Sequence, residues 1–240
     1  MHTLKTTADA RTRRRRILAL LSGGIALAVG GTMTLASWND IEWVFAGGAA
    51  GNDPGVVTSE FVVYQNTQSP ADGQGMTGWV ERPDNPGDSL QFAPLSGTGS
   101  LQALTPGETF YAPVALKTSE DSIAGTVDLQ GAVPAAGIAA VDAGGLLWDN
   151  LRVRVVLHDL DSTAAAPACN AAAFASGAVI VGAGGATTLG TAGVPDQALA
   201  GGGERTHYYC FELSLPDSAT TQTLQGRAVS PAWEFESTSD

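Results

Sequence analysis

Three segments of this chain alternate apolar and polar side chains residue by residue, and no other feature narrows the possible folds as far. In LRVRVVLH, Leu151, Val153, Val155 and Leu157 fall on one face, with Arg152, Arg154 and His158 mostly on the other. In ETFYAPVALK, Phe110, Ala112, Val114 and Leu116 fall together; in HYYCFELSL, Tyr209, Phe211, Leu213 and Leu215 do. A period of two belongs to strands with one face on a core and the other in water. EFVVYQ, IAGTVDLQ, GAVIVGA and AWEFES are shorter candidates of the same kind. Glycine and proline punctuate the runs in DNPGDS, LTPGET, DAGG, GAGG and LAGGGE. Thirty glycines suit turns and bulges and damage helices. The pattern predicts an all-β fold, an antiparallel β-sandwich of the jelly-roll or immunoglobulin-like kind, preceded by an N-terminal signal-peptide helix. Within the body, only CNAAAFA at 169–175 and PDQALA at 195–200 read as short helices. The polar stretch 65–105, rich in glycine and proline, reads as long loops or a mobile insertion. Trp148, Trp233, Phe235 and Tyr209 lie in or beside the strands and read as core.

Charge divides the chain in two. Lys5, Arg11, Arg13, Arg14, Arg15 and Arg16 are half of its twelve basic residues, and Asp9 is the only acid among the first 36. Residues 1–16 form a basic region, and ILALLSGGIALAVGGTMTLA at 17–36 is an apolar or small-residue run. This order describes a secretory signal peptide, with the cut expected between Ala36 and Ser37. The run is also long enough to span a bilayer, so an uncleaved signal-anchor is the alternative. TRRRRIL overlaps a twin-arginine export pattern as well. The expected domains are a signal peptide at 1–36, an N-terminal segment at 37–55 and a β-sandwich at 56–240. Without its leader the chain has six basic and 23 acidic side chains, a net charge of −17. Such a body repels phosphates, which excludes nucleic acid as a partner. No second apolar run is long enough to span a membrane, and PAWEFESTSD carries no hydrophobic tail or wall-sorting signal. The expected product is secreted or held at the cell surface, touching membrane only through its leader before signal peptidase acts.

The chain has two cysteines, Cys169 and Cys210. Outside the cytoplasm such a pair is expected to form a disulfide. A redox or metal site is the alternative, although the spacing is not CxxC and no histidine joins them. Catalytic motifs are absent from the sequence. His158 and His207 sit in no HExxH frame, and neither GxSxG nor a P-loop occurs. GAGGATTLG lacks the basic residue and helix start that would bind phosphate. No cofactor and no catalytic residue is assigned, and the chain does not read as an enzyme. Asp159 and Asp161 in HDLDST, and Asp84 and Asp88 in RPDNPGDS, are candidate calcium ligands through their oxygens; solvated turn acids are the simpler reading.

Trp38, Ile41, Trp43 and Phe45 follow the expected cut in SWNDIEWVFAGG. This apolar segment reads either as the first strand of its own sheet or as a strand that pairs with the edge of a neighbouring molecule. Here a family resemblance enters. GGTMTLASWNDIEW resembles the leader and cleavage region of TasA/camelysin-like secreted proteins, processed by a SipW-type signal peptidase. The matching positions are Gly30, Gly31, Thr32, Ala36, Trp38, Asn39 and Asp40. LTPGETFYAPVALKTSEDSIAG is similar to the family's Leu-x-Pro-Gly segment and following strand, and YYCFELSLPDSATTQTLQGRAVSPAWEF to actinobacterial proteins with this leader. The resemblance covers about a third of the chain and implies a secreted sandwich that assembles into surface or biofilm-matrix fibres. Each subunit's N-terminal segment, here Trp38 to Phe45, would complete the next subunit's sheet. The cysteine pair departs from the fibre-forming relatives. Camelysin-like relatives are described as metalloproteases, an activity this chain's motifs do not carry over. A monomeric module for a glycan, a cation or a wall protein is the alternative to a self-associating structural protein, and a metal-dependent, camelysin-like hydrolase is the third reading.

Overall fold

The structure, a computed structural model, describes residues 58–68, 76–94, 101–219 and 221–239. The leader, the cut at Ala36 and Ser37, and Trp38, Ile41, Trp43 and Phe45 lie outside the described residues. No described helix is long and apolar enough to cross a membrane.

The regular structure of the described chain is mostly strand, in antiparallel sheets, as the alternation predicts. The largest sheet runs β1 (Val63–Asn66), β3 (Thr109–Thr118), β10 (Arg205–Ser214), β6 (Arg152–Asp161) and β7 (Ala178–Val181). Two short strands extend it: β2 (Ala93–Pro94) beside β3, and β8 (Thr187–Thr188) beside β6. A three-stranded sheet has the order β12 (Phe235–Ser239), β4 (Gly125–Leu129), β9 (Gln197–Leu199), and β5 (Val133–Pro134) pairs with β11 (Pro231–Ala232).

Strand β10 pairs along its length on both sides. Phe211 stands between Ala112 and Val155, and Cys210 between Pro113 and Val156. Its odd-numbered side chains, Tyr209, Phe211 and Leu213, join Val114 and Leu116 of β3 and Val153, Val155 and Leu157 of β6 in one buried cluster. The three-stranded sheet adds Val127, Leu129 and Leu199 to the same cluster. Phe235 and Trp233 pack against it, with ring centroids 4.8 Å from Tyr209 and 5.0 Å from Phe211 respectively. Removing a fully buried ring such as Phe211 costs about 3–5 kcal/mol by loss of transfer free energy and creation of a cavity.

The opposite face of β10 is covered too, so strand β3 is buried on both faces. Tyr111, Ala115, Val156, Tyr208 and Cys210 form a second cluster with Ala173 of the 3-10 turn Ala171–Ala175. Cys210 is bonded to Cys169, with the Cα atoms 5.3 Å apart. The expected disulfide is present, and it ties the alanine-rich cover to the central strand. CNAAAFA forms its helical turn there, with the Asn170 side chain accepting from the Ala172 N–H at 2.9 Å.

Proline occupies the middle of β3 without breaking a ladder. Ser119 donates to Val62, and Glu108 accepts from Leu215. Odd-numbered backbone groups of β3 therefore point to the β1 and β2 side. There β1 reaches only Ala115 and β2 only Tyr111. Pro113 falls in the gap between them, where its missing N–H has no ladder partner to lose.

Two local readings are corrected. PDQALA is not a helix: Gln197–Leu199 is strand β9, paired with Gly125–Val127. Asp196 has φ of 58°, outside the helical region, and its N–H donates to the Asp128 carboxylate at 2.5 Å. Burial of Leu199 against the core then outweighs the helix propensity of Gln-Ala-Leu. Conversely, LLWDN forms the short helix Leu146–Asn150. The Asp142 carboxylate accepts from the Leu147 and Trp148 N–H groups, each at 3.0 Å, and from Arg227 at 2.8 Å. Burial alone would raise the Asp142 pKa, but these donors outweigh it and hold it below the usual carboxylate value. Within 65–105, the described part contains the end of β1, a two-way backbone pairing of Gln65 with Val80, and β2.

The disulfide closes a separation of 41 residues, which in the chain-entropy model stabilises the fold by about 4 kcal/mol. Replacing both cysteines with serine should lower the unfolding free energy from denaturant titration by that much without changing the strand content seen by circular dichroism. A shift below about 1 kcal/mol would mean the cover stays docked without its tether.

Candidate functional site

The candidate site begins where the pairing of β6 on one side ends. Strand β7 follows β6 only as far as Leu157, opposite Ala178. The next residue, Gly177, turns away and donates to Ala173 at 3.2 Å. The glycine is required there, because a Cβ would lie 2.8 Å from the His158 ring. Residues 158–161 of β6 thus keep β10 on one side and open on the other. An open cleft of about 570 Å³ lies at this place, lined by His158, Asp159, Ser176, Gln197 and His207.

Both histidines singled out in the sequence meet here, from opposite faces of the large sheet. His207 is buried on the inner face. Its Nε2 lies 2.9 Å from the Ala198 carbonyl, and its Nδ1 lies 3.2 Å from Tyr209 Oη. A carbonyl only accepts, so Nε2 carries the proton, and in the neutral ring Nδ1 accepts from the tyrosine hydroxyl. The imidazole thereby joins β10 to β9, one strand from each sheet. Burial lowers its pKa below the ordinary histidine value, and the Arg205 charge acts the same way. Asp159 and the Ala198 bond oppose this without reversing it. His158 is lowered too, chiefly by burial, against a backbone hydrogen bond at Ala173.

The calcium candidates have other partners. Arg205 Nε donates to Asp159 Oδ1 at 3.0 Å, Nη2 lies 2.9 Å from Oδ2, and Nη1 binds the Asp161 carboxylate. Nη2 also donates to the Asp159 backbone carbonyl at 3.0 Å. One guanidinium therefore holds two carboxylates and covers part of the open backbone edge of β6, a common protection against strand addition. Asp84 and Asp88 lie elsewhere. The Asp84 carbonyl accepts from Gly87 in a turn, and the Asp88 carboxylate pairs with Arg82 at 2.8 Å. Among the described residues, no three His, Cys, Asp or Glu side chains converge as metal ligands.

Arg205 and Tyr208 were not singled out in the sequence. Arg205 could be suspected only from its place at the head of an apolar strand. Nothing in the sequence marks Tyr208, a fully buried residue whose hydroxyl has no hydrogen-bond partner among the described residues. Its ring lies 6.4 Å from that of His158, whose Nε2 is likewise buried and unpartnered. Burial pushes the Tyr208 pKa up to about 12. The arrangement can seat a small polar group at the rim, but its basic groups are spoken for.

Comparison with known proteins returns no match among family models, curated proteins or solved structures.

Two expectations follow. With a folded pKa below the unfolded value of about 6.5, His207 binds its proton more readily in the unfolded chain. Its contribution to stability is complete above that pH and is lost as pH falls through the folded pKa. The urea midpoint should fall from pH 7 to pH 5, and His207→Gln should flatten this slope while lowering stability at pH 7; an unchanged slope would assign the acid sensitivity elsewhere. Tyr208→Phe removes a desolvated, unpaired hydroxyl and should leave the fold unchanged or stabilise it by about 1 kcal/mol. A clear loss in the same titration would show that the hydroxyl is bonded in solution.

Proposed function

We propose that this chain is a secreted structural or cell-surface protein, a TasA/camelysin-like β-sandwich that is exported, cut between Ala36 and Ser37 and assembled into fibres or a biofilm matrix. The observation that carries the proposal is the disulfide between Cys169 and Cys210, behind a leader of basic and then apolar residues. Disulfides persist in oxidising compartments and are rare in the cytosol. The two faces of the large sheet support the sandwich reading: one shares its core with the three-stranded sheet, and the disulfide-tied cover closes the other.

In this proposal the assembling element is the aromatic segment with Trp38, Ile41, Trp43 and Phe45, freed by the cut and added to the sheet of a neighbouring subunit. The net charge of −17 after the cut opposes the approach of copies, so assembly should strengthen with salt at constant pH. A second reading, a monomeric module for a glycan, a cation or a wall protein, draws on the open cleft at His158 and His207.

The processed chain beginning at Ser37 should form fibres visible by negative-stain microscopy at neutral pH and raised salt. Trp43→Ser with Phe45→Ser should abolish them and leave the melting curve unchanged. A processed chain that forms no fibres at any concentration or salt would overturn assembly. Saturable calorimetric heat with calcium or a wall glycan would then favour the module.

A further inference from the structure

Residues 162–177, the cover between β6 and β7, lie over the outer face of the large sheet yet bury almost nothing of themselves. Ala173, 3% exposed, is the only buried residue among them. Their backbone hydrogen bonds are mostly internal: Ala173 donates to Asn170, and Ser176 and Gly177 both donate to the Ala173 carbonyl. At the root, Ser162 donates to Glu204 at 3.0 Å. Beyond the root, few contacts hold the cover down. His158 makes a hydrogen bond with the Ala173 backbone. Phe174 lies against Tyr111 and Arg154, at 6.2 and 4.6 Å from its ring centre. The disulfide is the one covalent link.

What lies beneath is polar for a covered sheet face. By register, Tyr208 of β10 stands opposite His158 of β6, and Glu212 stands between Tyr111 of β3 and Arg154 of β6. Tyr111 donates its hydroxyl to the Glu212 carboxylate at 3.2 Å, and Arg154 Nη1 lies 3.6 Å from the same oxygen. Tyr208 Oη and His158 Nε2 are buried with no partner among the described residues. Both are shut in by the cover. Tyr208 packs in one cluster with Ala173, and the His158 ring lies so near Gly177 that a Cβ there would be 2.8 Å from Nε2. A polar atom kept from water without a partner costs free energy, so closure carries a cost that opening would relieve.

We infer that residues 162–177 are a lid held shut by the disulfide, and that a thiol opens it to bare His158, Tyr208 and the group of Tyr111, Glu212 and Arg154. The two cysteines differ as the chemistry requires. Cys210 is fully buried on the central strand, and Cys169 is partly exposed on the lid. The thiolate of a low-molecular-weight thiol attacks Cys169 Sγ and forms a mixed disulfide there. The bond between the two cysteines breaks, and its electron pair leaves on Cys210 Sγ, which takes a proton. A second thiolate then attacks the small thiol's sulfur and releases Cys169 as a thiol. Two small thiols are oxidised to one small disulfide, and one protein disulfide is reduced. The strands need not move, because the lid begins after Asp161 and ends before Ala178, where the pairings of β6 with β10 and β7 lie. In an oxidising compartment the same exchange runs backwards and shuts the lid.

Diethyl pyrocarbonate, which acylates accessible histidines, reads the lid on the folded, processed chain. His158 and His207 lie on opposite faces of the sheet. His207 is buried on the inner face with both ring nitrogens bonded, so it reports on the core. In the oxidised protein both should be protected. Dithiothreitol without denaturant should raise the acylation of His158 at least about tenfold and leave His207 protected, as local opening requires. Cys169→Ser, on the exposed side of the bond, should give the same pattern with no reductant. Protection of His158 in the chain with both thiols free overturns the inference, because the cover then stays docked unaided. His207 becoming reactive together with His158 also overturns it, because the bond then holds the whole fold. So does a disulfide that dithiothreitol cannot cut while the chain stays folded.

Discussion

The described structure depends on one strand being paired and covered on every side. β10 has β3 and β6 as neighbours along its length. One of its faces lies in the shared core, and the other carries Cys210 into the disulfide. Loss of the bond would release the cover over Tyr208 and Val156, not the core itself. The two faces are therefore held by different physics. The inner one is held by apolar burial between sheets, the outer one by a modest cluster and a covalent tether.

Charge accounts for much of the rest. Excess acid makes copies of the body repel one another. The few cations are placed where they hold structure together. Arg205 clamps Asp159 and Asp161 at the open edge of β6, Arg227 binds the capping Asp142, and Arg154 lies between Glu212 and the face of Phe174.

The long strands were legible because ten residues contain five periods of alternation, and β3, β6 and β10 appear where the pattern put them. The two-residue strands β2, β5, β8 and β11 contain no period and could not be seen. β9 reads as helix because Gln, Ala and Leu favour helices. Pairing with β4 and the backbone of Asp196 decide otherwise, and both depend on residues distant in sequence. Cys169 and Cys210 were legible because only two cysteines exist. Asp159 and Asp161 were visible as neighbours, but their partner Arg205 lies more than 40 residues away. The apolar run at 133–141 shows the limit of composition, because nothing in it distinguishes a buried strand from the exposed strap that it forms.

The central claim of the proposed function is that export removes a cationic leader and oxidises one cysteine pair on the acidic, β-rich body left behind. Intact-mass analysis of the protein recovered from outside producing cells tests it most directly. The account predicts a chain starting at Ser37, lighter than its reduced form by the two hydrogens lost on joining Cys169 to Cys210. A full-length chain confined to the cytoplasm with both thiols free would contradict it.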